Sequence, residues 1–144
     1  MPVKPADVIA SARKLIGTPY QHQGRIPGQA CDCIGLAILV CQDLNLGDFD
    51  FKDYGRNPNG ELLREIEKVC TPIDLMEGCL AVFAMRNLPQ HCAIIAFDSG
   101  WKMIHAYQNA RAVKEHDCIE WWDRKVVGFY ALPNVDYSDA VREF

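Results

Sequence analysis

Two halves of different periodicity predict an α+β domain, with N-terminal helices packed on a C-terminal antiparallel β-sheet. The first half places apolar residues at helical spacing, the second holds short apolar runs separated by Gly, Pro, Asn and Asp, and a length of 144 residues suits one domain. Helices and strands that are segregated along the chain argue against alternating βαβ units. Residues 1–144 are therefore read as a single domain.

The elements follow in order. Pro5 near a start, Val8, Ile9, Ala12, Leu15 and Ile16 at helical spacing, and Gly17 as a stop make a short amphipathic helix. A loop, GTPYQHQGRIPGQA, leads to Asp32, an N-cap for a continuous apolar run from Cys33 to Cys41 that ends near Asn45 and Gly47. Leu62, Leu63, Ile66 and Val69 predict a further helix over Glu61 to Cys70. Strands are expected at Cys79 to Met85, His91 to Phe97, Lys102 to Tyr107 and Lys125 to Leu132.

Composition excludes more than it assigns. A hydrophobic share of 49% and a charged share of 24% rule out disordered, collagenous and membrane classes. The net charge of −4 offers no general attraction to nucleic acid. Seven cysteines without a regular frame are read as reduced thiols, with Cys41, Cys70, Cys79 and Cys92 as core filler, which implies a reducing compartment. Asp7, Arg13 and Lys14 interrupt the N-terminal segment, so no signal-peptide core is expected, nor any membrane span. The chain is expected to be made in the bacterial cytoplasm, and to reach other places only if a larger particle carries it.

Chemistry concentrates at three residues. Cys33 falls in the first turn of a helix, where the macrodipole and unpaired N–H groups stabilise a thiolate and can hold an oxyanion. From spacing alone, CDCIGLAILV reads equally as a buried helix with a polar start. A base is needed, and His91 and His105 are the histidines in predicted strands. If Asp98-Ser99-Gly100 forms a three-residue hairpin loop with Gly100 left-handed, Phe97 pairs with Trp101 and Ala93 with His105. His91 then shares a face with His105 on a diagonal of roughly 7–8 Å. A two-residue loop would separate them, and two histidines in a sheet also fit a purely structural role. Cys31 receives no role, and His116 is expected on the surface.

GTPYQHQG, DCIGL, HCAII and MIHAY, in that order, resemble the signatures of the NlpC peptidases: a G-x-PY loop, an aspartate–cysteine helix start and two strand histidines. The resemblance covers roughly residues 6 to 133. It is strongest to the small subgroup encoded among tail genes of phages and phage-like particles, in which a late Trp-x-x-Arg, here Trp121 and Arg124, recurs. It implies a papain-like fold and a Cys-His-His triad of Cys33 as nucleophile, His91 as base and His105 as orienting member. It further implies that the Tyr20 hydroxyl helps the Cys33 N–H to hold an oxyanion, and that Asp32 belongs to substrate binding; His22 reads as an exposed loop histidine first and as lining a substrate subsite second. The implied substrate is a peptidoglycan stem peptide, with no cofactor or metal, no membrane and no nucleic acid involved, and with phage tail proteins as partners. In one departure, Ile34 follows the nucleophile where many wall hydrolases carry a serine that joins the aspartate at the substrate's amino end. Two other readings stand beside this one. The first is a tail-assembly or structural protein that retains the fold without needing catalysis. The second is a metal module built on Cys31, Cys33, His91 and His105.

Overall fold

A computed structural model of the chain describes residues 2–51, 54–55, 60–85, 88–118 and 126–142. Trp121 and Arg124 lie outside them, as does Lys125 at the predicted start of the last strand. Helix α1 (Pro5–Lys14) begins with Pro5 at its first position, and the Asp7 carboxylate accepts from the Lys4 N–H at 2.9 Å. Strands β1 (Arg25–Ile26) and β2 (Ala30–Cys31) form a small hairpin before helix α2 (Cys33–Asp43). Helix α3 (Glu61–Val69) precedes a run of strands: β3 (Thr71–Ile73), β4 (Leu80–Met85), β5 (Leu88–Phe97), β6 (Trp101–Tyr107), β7 (Ala112–Asp117) and β8 (Val126–Ala131).

These last six strands make one antiparallel sheet in the order β3-β8-β4-β5-β6-β7. Its pleat sorts two cores, since successive side chains point to opposite faces. Leu80, Val82, Cys92, Ile94, Ile104 and Ala106 join Val8, Ala12, Leu36 and Val40 of the helices. Ala81, Phe83, Ala93, Ile95 and Met103 meet Leu75, Met76 and Ala140 on the other face. Helix α2 is apolar on nearly every side, with residues 34–41 all buried, because it lies in the middle of the first core. The helix ends as the sequence suggests. Asn45 takes a left-handed φ of 56°, and the Leu46 N–H returns to the Cys41 carbonyl at 2.8 Å.

The β5–β6 hairpin keeps the expected three-residue connection, with Phe97 opposite Trp101 and Ile94 opposite Ile104. Its left-handed position is a correction: Ser99 takes it with φ 59°, and Gly100 follows at φ 155°. Strand β7 was not expected, because AVKEHD has too few apolar residues to read as a strand by itself. It forms because β6 offers a complete row of partners, from Tyr107↔Ala112 to Lys102↔Asp117. The GTPY loop is stitched against the outer side of β7. Gly17 N–H donates to Val113, Val113 N–H to Thr18 and Tyr20 N–H to Arg111.

Candidate active site

Cys33 is the first residue of α2, half-buried, with Asp32 as N-cap accepting from the Gly35 N–H at 2.8 Å. A cap of this kind contributes about 1 kcal/mol and fixes the angle at which the helix begins. The helix start sits across the beginning of β5. Cys92 Sγ lies 3.4 Å from the Cys33 carbonyl, and the His91 imidazole is within hydrogen-bonding range of the Cys33 thiol. His91 Nε2 is 2.7 Å from His105 Nδ1, the rings meeting edge to face. The structure thus brings Cys33, His91 and His105 together.

His105 is completely buried, and its other nitrogen, Nε2, lies 2.6 Å from Nε2 of His116. The surface position expected for His116 is therefore corrected: it is half-buried and extends the row of imidazoles. Its signal was available in the diagonal rule already used for His91 and His105. His105 pairs with Lys114, so His116 stands two residues along on the same face. That step required recognising β7.

Asp32 occupies a closed network of its own. One carboxylate oxygen accepts from Gly35 N–H and from Arg25 Nη1 at 3.1 Å, the other from Gln23 N–H at 2.7 Å and from the Tyr54 hydroxyl. Arg25 donates all five of its N–H groups, to Asp32, Gly24, Asp50, Phe51 and Tyr54. The Arg25 side chain is only 7% exposed and that of Asp32 only 3%. Both carboxylate oxygens are thus engaged from within the chain. Gly35 makes this possible, since a Cβ there would stand 2.5 Å from the Gly24 carbonyl and 2.8 Å from Arg25 Nη1. Arg25 and Tyr54 carry no motif that marks them in sequence.

Tyr20 is held beside the helix start by a backbone bridge to Cys31, and it packs against the first core. His22 was expected to be an exposed loop residue; it is half-buried, with Nε2 3.1 Å from the Tyr54 carbonyl and its ring edge-on to the Tyr54 ring. Cys31 turns its thiol to the Asp32 carbonyl at 3.2 Å. Among the described residues, no group of three or more His, Cys, Asp or Glu side chains is arranged to hold a metal ion.

The NlpC/p60 domain of the peptidoglycan hydrolase SagA superposes with a TM-score of 0.64, over 90% of this chain and 98% of that one, at 25% identity. The fold is that of an NlpC/p60 domain. An NlpC/p60 family protein from Bacillus cereus matches with a TM-score of 0.67 over 92% of this chain, at 20% identity. One from Staphylococcus aureus, described as similar to lipoprotein, gives 0.63 over 94% at 17% identity. The chain spans 41% and 44% of those two proteins. No family model and no curated protein matches the chain by sequence.

Within this NlpC/p60 fold the cysteines separate by environment. All seven are free thiols. Cys33 is held well below the ordinary thiol range, by hydrogen bonding from Cys92 first and from His91 next, against the opposing effects of burial and of the Asp32 charge. Burial pushes Cys31, Cys41, Cys70, Cys79 and Cys118 up to about 12. Cys92 is more than filler, because its own thiol is kept protonated beside Cys33. A group with a lowered pKa keeps its thiolate as pH falls, until that pKa is reached. Iodoacetamide should therefore label Cys33 before every other cysteine, at a rate that changes little between pH about 6.5 and 8.5. A free thiol of pKa about 8.5 gains roughly fifty-fold over the same interval. Peptide mapping by mass spectrometry reads the site, and first labelling elsewhere would remove Cys33 from the nucleophile's place.

Proposed function

We propose that this domain is a cysteine peptidase that hydrolyses amide bonds in peptidoglycan stem peptides. One observation carries the reading: a cysteine at a helix start, within hydrogen-bonding range of an imidazole that itself contacts a second, buried imidazole at 2.7 Å. The Cys33 thiolate attacks the amide carbon, forming an S–C bond while His91 gives its proton to the leaving nitrogen as the C–N bond breaks. Water then attacks the thioester, with His91 taking its proton, and the S–C bond breaks to release the acid and restore the thiolate. The Cys33 N–H and the Tyr20 hydroxyl receive the negative oxygen in both steps. Peptidoglycan as substrate is supported by the hydrolase activity named for the SagA domain and by the four ordered motifs. Carriage to the wall by a phage tail or phage-like particle is supported by the GTPY-HQG-DC-GL run.

Purified protein incubated with soluble muropeptides should yield cleaved stem peptides by mass spectrometry, the mass difference identifying the bond. Intact muropeptides after exposure to a protein whose Cys33 alkylates normally would show that the substrate class is wrong while the nucleophile stands.

A further inference from the structure

We infer that His116 is a positioning residue for this site, closing a chain of three imidazoles whose proton positions are set by the backbone carbonyl of Asp117. The inference rests on the reading of Cys33 as nucleophile and His91 as base.

The protons are assigned from the network, starting at its far end. His116 Nδ1 is 3.0 Å from the Asp117 carbonyl oxygen, which can only accept, so Nδ1 carries a proton. In neutral His116 the other nitrogen then presents a lone pair. His105 Nε2 must therefore be the donor across the 2.6 Å contact, which leaves His105 Nδ1 as an acceptor. Across the 2.7 Å contact His91 Nε2 donates in turn. His91 Nδ1 is thereby the lone-pair nitrogen, the one that takes a proton from sulfur. One carbonyl on β7 thus selects the working tautomer of a base on β5.

Packing holds the chain in line. The Tyr107 ring stacks on His105 at 4.5 Å with an angle of 22° between planes, and it meets His91 and His116 edge to face. Burial first, then the neighbouring imidazoles, hold the His105 pKa down to about 2, so His105 remains neutral while it relays orientation. When His91 is protonated, its Nε2 still donates in the same direction. No other proton has to move, and the aligned N–H groups face the new charge with their negative ends.

In Ser-His-Asp hydrolases the group that fixes the histidine tautomer is worth about 10⁴ in turnover. His116 stands one imidazole further away, so the expected effect is smaller. His116→Leu should lower kcat about tenfold with KM within about twofold, and His116→Gln, whose carbonyl can still accept, should recover most of it. The decisive readout needs no substrate. Long-range ¹H–¹⁵N correlation NMR on ¹⁵N-histidine protein should show His105 as a single Nε2–H tautomer in wild type and in His116→Gln, and as a mixture or the Nδ1–H form in His116→Leu. Wild-type His105 protonated at Nδ1, or a tautomer unchanged in His116→Leu, would overturn the inference. Those outcomes are independent of whether muropeptides are cut, so a wrong substrate and a wrong relay give different results.

Discussion

Replacing Cys33 by alanine should reduce muropeptide turnover by at least about 10⁴-fold, because every covalent step of the proposed reaction passes through its sulfur. The fold should survive. Alanine is the best helix former, the Asp32 cap bonds to backbone groups, and Cys33 is half-buried rather than part of the sealed core. Thermal unfolding should therefore stay within a few degrees of wild type, separating lost chemistry from lost structure. Cys33→Ser tests the same point more finely. Its hydroxyl lacks the acidity of the thiol, so Cys92 and His91 cannot hold it as an anion, and activity should stay near that of the alanine variant. Retention of more than about a tenth of the activity in Cys33→Ala would falsify the assignment.

Arg25→Met should cost about 3–5 kcal/mol of folding stability, the range for removing one partner of a buried ion pair. The loss is large because Arg25 serves several acceptors at once. Without it Asp32 keeps a buried negative charge, and the Gly24 and Phe51 carbonyls lose their side-chain donor. Urea unfolding should show a lower midpoint at an unchanged slope. Combining Arg25→Met with Asp32→Asn should recover part of the loss, since asparagine still caps the helix but carries no charge. A change below about 1 kcal/mol in the single variant would mean that water enters the cluster and the pair is not sealed. Chemistry should follow stability here. The Asp32 charge raises the Cys33 pKa, so removing the guanidinium that faces it should make the thiolate harder to form.

Helices α1 and α2 were legible from start and stop signals around their apolar sets, Pro5 and Gly17 for one and Asp32 and Asn45 for the other, and α3 from the 62, 63, 66, 69 stripe alone. The long strands were legible from their apolar runs, and the His91–His105 contact from the length of one hairpin loop. What escaped was whatever depends on partners distant in sequence. Strand β7 is polar and exists because β6 pairs with it, so His116 could not be placed. Arg25, in the two-residue strand β1, and Tyr54 carry no sequence signal, and their meaning appears only when Asp32 is brought between them. Cys92 looked like filler because its apolar neighbours say nothing about the helix end that lies across it.

The edges of the sheet carry a separate consequence. An exposed strand edge is a template on which another chain can add, the common route from a folded β protein to an aggregate. On one side the edge strand β3 has three residues, with Pro72 lacking an N–H. On the other, the GTPY loop already takes up Val113 N–H and the carbonyls of Val113 and Arg111. The loop that sets Tyr20 beside the helix start also blocks strand addition at the start of β7, so a substitution that frees it would endanger solubility as well as catalysis.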